Sequence, residues 1–148
     1  MARYQVDKNR YEELLVGTTM ISCSIGTEDI LIDTDSDKDL ILTIDTSTAF
    51  LRIRNNDNIV FSSYMLFQPN ELQAGRDEQD YNTITNEQLE KSNKAIKESI
   101  IGKMISNVKS LELALIIKFE DGMLLEVFKA CESEDNLPYI SLLSGAKI

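Results

Sequence analysis

The sequence predicts an α+β fold, mainly antiparallel β, in which two similar helix-plus-hairpin halves pack around one core. Three observations predict it. Leu111, Leu113, Leu115, Ile117 and Phe119 recur at every second residue, which in a strand places all five on one buried face. Glu120-Asp121-Gly122 interrupts that run before Met123, Leu125 and Val127 alternate again. Asp-Gly accepts the positive φ angles that a tight hairpin turn needs. The third observation is an internal repeat. With Gly17 set against Gly102, Leu15, Val16 and Met20 fall on Ile100, Ile101 and Ile105, and Cys23 falls on Val108. Further on, Leu42 and Ile44 match Ile117 and Phe119, and Leu51 and Ile53 match Leu125 and Val127. Each half reads helix end, glycine, strand, charged turn, hairpin. One domain over 1–148 follows, with half-repeats at about 7–69 and 85–143 joined by a polar loop, 70–84.

In chain order, residues 7–16 read as a short helix. Asp7 or Asn9 can cap it, Glu12 and Glu13 suit its positive end, and Tyr11, Leu14 and Leu15 share one face. Gly17 ends it. Ile21, Cys23 and Ile25 then alternate as a strand, and 26–39 reads as a charged turn region. Leu40, Leu42 and Ile44 form the next strand. Asp45-Thr46-Ser47-Thr48 turns the chain, and Ala49, Leu51 and Ile53 return, with Arg52 and Arg54 on the other face opposite acids of a neighbouring strand. After a turn at 55–58, Ile59, Phe61 and Ser63 begin another strand, closed by Pro69. Thr85-Asn86-Glu87-Gln88 fits a capping box and opens a second helix, striped by Leu89, Asn93, Ile96 and Ile100 and ended by Gly102. Cys131–Asn136 is an acidic loop, and Pro138–Leu143 gives a last short strand.

Composition narrows the chemistry. Apolar residues make up 43% of the 148, enough for a core and too many for a disordered chain. No apolar run approaches a membrane span, and the N-terminal residues lack a secretory segment, so a cytoplasmic protein is expected. There is no histidine, which removes the Ser-His-Asp and Cys-His nucleophilic schemes and the usual zinc sites. No glycine-rich phosphate loop is present. Carboxylates abound, but nothing singles out one buried pair for acid–base work, and no enzyme is expected. Cys23 reads as a small core residue and Cys131 as a poor nucleophile among acids.

The net charge of −10 disfavours nucleic acid and acidic membrane surfaces and favours a basic protein partner, for example a nuclease. Three acidic clusters are the candidate contacts: Asp33, Asp35, Asp37 and Asp39; Asp77, Glu78 and Asp80; and Glu132, Glu134 and Asp135. Loops on a rigid sheet scaffold are where partner contacts sit, with Tyr64, Phe67 and Tyr81 as nearby aromatic anchors. The Asp33–Asp39 run fits the first three ligand positions of an EF-hand. It then has Lys38 where glycine is needed and Ile44 where glutamate is needed, so it fails as an EF-hand; a calcium loop of another kind is the lesser reading beside a solvated turn or partner contact, and no metal and no cofactor is expected.

A resemblance adds to this reading. In the second half it rests on Ile101-Gly102, Ile105, Glu112-Leu113, Phe119-Glu120-Asp121-Gly122 and Leu124-Leu125-Glu126-Val127-Phe128. In the first half it rests on Leu40–Ile44, Leu51-Arg52-Ile53, Asn58-Ile59-Val60, Ser62-Ser63 and Pro69. Together these resemble a family of small bacterial two-half-repeat proteins. That family includes immunity proteins of the contact-dependent growth inhibition type. The resemblance implies a protein that neutralises a cognate toxin; the acidic clusters lead to the expectation that it does so by occluding a basic active cleft, and a monomer or homodimer is expected. It carries over no catalytic residues. The alternative is a non-catalytic structural or ligand-binding module that self-associates through sheet edges.

Overall fold

The computed structural model describes residues 3–26, 29–63, 86–129 and 139–147. Strand β1 (Tyr4–Gln5) and a 3-10 turn (Lys8–Arg10) lead into helix α1 (Tyr11–Leu15). Strands β2 (Met20–Ile25), β3 (Asp29–Thr34), β4 (Leu40–Asp45), β5 (Ala49–Asn55) and β6 (Asn58–Ser62) follow. Helix α2 (Asn86–Ile100) precedes β7 (Ile105–Ser110), β8 (Ala114–Phe119), β9 (Leu124–Lys129) and β10 (Ile140–Ser144). The strands form two sheets of five, ordered β1-β10-β4-β3-β2 and β6-β5-β9-β8-β7, and every pair is antiparallel. The α+β, mainly antiparallel class read from the sequence is the class of the molecule.

Period-two burial fixes which face of each sheet is inside. Ile30, Ile32 and Thr34 of β3, Leu40, Leu42 and Ile44 of β4, and Ile140 and Leu142 of β10 point inward. They meet Leu51 and Ile53 of β5, Leu115, Ile117 and Phe119 of β8, and Leu125 and Val127 of β9 in one continuous cluster. Each such Leu or Ile, removed from water, stabilises the fold by roughly 1.5–3 kcal/mol. Helix α1 brings Tyr11, Leu14 and Leu15 to the core and packs against β7. Helix α2 brings Ile96 and Ile100 and packs against β2 and β6.

The two halves are related by a local twofold arrangement centred on an antiparallel bridge between Thr19 and Met104. Gly17 N donates to Ile105 O at 2.9 Å, and Gly102 N donates to Met20 O at 2.7 Å. Ile105 N donates to Thr18 O, and Met20 N to Lys103 O. Each first strand bulges at the same place, between Met20 and Ser22 and between Ile105 and Asn107. The chain can enter both strands because Gly17 and Gly102 take φ of 90° and 88°, a region closed to most L-residues.

Four expectations need correction. The stretch 26–39 is not only a charged turn. Ile30 and Ile32 alternate between acids and build β3, so the repeat aligns Ile32 with Ile117, and Leu42 with Leu125, rather than Leu42 with Ile117. Second, β4 and β5 are not a hairpin. Thr46–Thr48 forms a corner, after which β5 joins the other sheet beside β9, while β10 crosses back to pair with β4. The first sheet therefore takes β10 from the second half, and the second sheet takes β5 and β6 from the first. Third, Leu111 and Leu113 are exposed, because the chain turns there and β8 starts only at Ala114. Ile21 is exposed as well, because the bulge gives the inward place to Met20, and Ile59 of β6 is exposed beside buried Phe61. Fourth, the first helix is shorter than 7–16, and neither Asp7 nor Asn9 caps it through a side-chain bond; Arg10 holds its N-cap position. On α2 the buried small positions are Ser92 and Ser99, and Asn93 is exposed. Gly122, at φ 93°, makes the β8–β9 turn that Asp121-Gly122 predicts.

Candidate interaction surface

The outward faces of the two sheets occupy equivalent positions and differ in charge. On the second sheet one row across the strands reads Arg52, Glu126, Ile116, Lys109, and the next reads Arg54, Leu124, Lys118, Asn107. The matching rows of the first sheet read Ser141, Thr43, Leu31, Ser24 and Leu143, Ile41, Asp33, Ser22. Lys118 thus stands where Asp33 stands in the other half, and Arg52 and Arg54 stand where Ser141 and Leu143 do.

On the basic face Glu126 holds the centre. Its Oε1 accepts from Arg52 Nε at 2.8 Å and from Arg54 Nε at 2.6 Å, and its side chain is only 5% exposed. Burial pushes its carboxyl up, but the bonds and charges of the two guanidiniums outweigh this and hold it below the ordinary value. Arg54 is held above its ordinary value chiefly by its bond to Glu126. Arg52 also lies over the Phe128 ring, 5.3 Å from its centre. The sequence-based placing of Arg52 and Arg54 opposite acids is met here by a single acid serving both.

The acidic face carries Asp29, Asp33 and Asp45, with no lysine or arginine on the outward positions of β2, β3, β4 and β10. Asp29 and Asp45 are direct cross-strand partners, and Leu31, Ile41 and Leu143 give the face apolar area between charges. Two features of this region cost stability. Like charges directly opposite repel. Thr43, in the middle of the face, and Tyr139, beside the start of β10, have buried hydroxyls without a hydrogen-bond partner among the described residues.

The candidate acids divide by role. Asp33 lies on the acidic face, where its Oδ2 accepts from Ser22 Oγ at 2.8 Å. Asp35 Oδ1 accepts from Thr19 N at 2.8 Å and so steadies the joint between the halves. Asp39 turns back on the fold at φ 52°, pairs with Arg3 at 3.0 Å, and packs so close to Gly145 that a Cβ there would meet it at 2.7 Å. Asp37 points away, with its side chain 93% exposed and Lys38 at 3.9 Å. Asp77, Glu78, Asp80, Glu132, Glu134 and Asp135 lie outside the described residues, as do Tyr64, Phe67, Tyr81 and Cys131. Among the described residues no group of carboxylates or cysteines is arranged to hold a metal ion. Cys23 is a free thiol packed against the core, and burial pushes its pKa up to about 11, which makes it a weak nucleophile at neutral pH.

Asp29 and Asp45 were absent from the sequence candidates. Period-two alternation of Asp29 and Asp33 with Ile30 and Ile32 was the signal that could have found the first. Asp45 needed the strand register.

No family model, no curated protein and no solved structure matches this chain. Among the described residues no helix is long and apolar enough to cross a membrane.

Proposed function

We propose that this protein is a non-catalytic binding module that captures a basic protein through the acidic face of its first sheet. The class of partner that fits best is a toxin with a basic active cleft, and the protein would act on it as an immunity protein by occlusion. One observation carries the reading. Asp29, Asp33 and Asp45 share a face that, among the described residues, carries no cation on its strands and exposes apolar side chains between the acids, although the equivalent face of the other sheet is basic. That face sets Asp29 directly opposite Asp45 and holds a Thr43 hydroxyl with no partner among the described residues. Departures from stability rules are common at functional sites. Acidic groups facing a basic cleft give fast, salt-sensitive association.

The experiment is to mix the purified protein with the product of the neighbouring gene and measure Kd at low and high salt. Tight binding that weakens with salt, and weakens further in Asp33→Lys, supports the reading. A partner that binds no better than it binds an unrelated acidic protein sinks it.

A further inference from the structure

Strand β2 ends the first sheet, and its outer edge is unpaired beyond Met20 among the described residues. Gly26 N donates to Asp29 O, which sets the antiparallel alternation: the amides and carbonyls of Ser22 and Ser24 turn to β3, and those of Cys23 and Ile25 turn to the free edge. Natural sheets guard such edges with charges or proline. The run Met20–Ile25 contains neither. Helix α2 flanks this edge without sealing it, leaving a groove of about 460 Å³. Cys23 and Ile25 line one wall, and Asn93, Lys97 and Ile101 line the other. Among the described residues Lys97 makes no ion pair and is the one charged side chain that lines the groove.

We infer that the groove between β2 and α2 binds an extended peptide segment of a partner protein, which adds to the first sheet as a strand and sets a carboxylate against Lys97. The main-chain groups of Cys23 and Ile25 supply the ladder, which any sequence can satisfy. Selectivity comes from alternate side chains. One set faces Ile25 and Ile101 and favours apolar residues; an acidic residue reaches Lys97. This surface lies at the edge of the first sheet and does not depend on the acidic face.

The test is selection of a displayed library of random eight-residue peptides against the full chain, followed by hydrogen exchange on the complex. The expected winners alternate apolar residues around a Glu or Asp and slow exchange at the amides of Cys23 and Ile25. Lys97→Glu should weaken them about tenfold, the value of one charge-assisted hydrogen bond. Cys23→Pro removes a free-edge donor without touching the β3 ladder, and should abolish binding while the melting transition persists. Failure to select any peptide overturns the inference. So does selection of peptides that leave Cys23 and Ile25 exchange unchanged. Concentration-dependent protection of those amides without peptide would also overturn it, because the occupant is then a second copy of the chain.

Discussion

Asp29 and Asp45 stand directly opposite each other across the β3–β4 ladder, both on the outward face. Asp45 N donates away from β3, to Tyr139 O, and Asp29 O accepts from Gly26 N on the β2 side, so the two acids occupy a non-hydrogen-bonded position of the β3–β4 ladder, where side chains approach most closely. Their carboxylates are turned apart: Asp45 Oδ1 accepts from Ser47 N at 2.9 Å, and Asp29 Oδ1 leans over Gly26. This orientation reduces the repulsion that directly opposed like charges exert. Asp29→Asn is therefore expected to raise stability by a few tenths of a kcal/mol at pH 7 and to weaken the basic partner. Urea unfolding and a binding titration on the same variant check both signs. A variant that loses stability would show that Asp29 is there for the fold.

The Glu126 pair carries a pH dependence with a defined sign. Its carboxyl is lowered in the folded state, so its contribution is complete above the ordinary glutamate value of 4.5 and is lost as pH falls through the lower folded value. Glu126→Gln should cost about 1–2 kcal/mol at pH 7, because Arg52 and Arg54 are each about a third exposed and can return to water. That cost should vanish in strong acid. The double substitution of Arg52 and Arg54 by Ala should cost more, about 3 kcal/mol, since it leaves a buried carboxylate without a partner. Denaturant curves at several pH values separate the two cases.

Gly17→Ala and Gly102→Ala should each cost about 1–2 kcal/mol. A Cβ meets nothing within 4 Å at either position, so the whole penalty comes from the positive φ. Matching losses at the two positions would show that both halves need the same entry into their first strand. Thermal melts read this directly.

How much of this was legible in the sequence depends on whether partners are near in the chain. The β8–β9 hairpin was readable because Asp121-Gly122 sits between two alternating runs. The ends of both helices were readable because a glycine follows each. Strand β3 was hidden because Asp29 and Asp33 flank Ile30 and Ile32, and a buried face of two isoleucines and Thr34 reads as a charged turn. The separation of β4 from β5 was not readable at all. The four residues between Ile44 and Ala49 suit a hairpin and a corner equally, and only the distant partners β9 and β10 decide. The same reason concealed the acidic face, since Asp29, Asp33 and Asp45 meet through register. Of the acids named from sequence, Asp35 and Asp39 serve the fold through Thr19 and Arg3.

Because β5 pairs with β9 and β10 pairs with β4, neither half can complete its own sheet. A chain cut between 63 and 86 is expected to give two fragments that are unfolded alone and regain strand signal when mixed. Circular dichroism of the separate and combined fragments checks it. A native-like spectrum from either fragment by itself would count against the interlocked core.

The exchange of β5 and β10 has one more consequence. A dimer of two identical half-length chains could form this same architecture, but its symmetry would stamp every surface residue twice. A cation at Lys118 would demand a cation at the site of Asp33. With both halves on one chain, a substitution at one site no longer dictates its mirror. The molecule can keep a symmetric interior, with matching glycines and matching bulges, and still present one basic side and one acidic side to its surroundings.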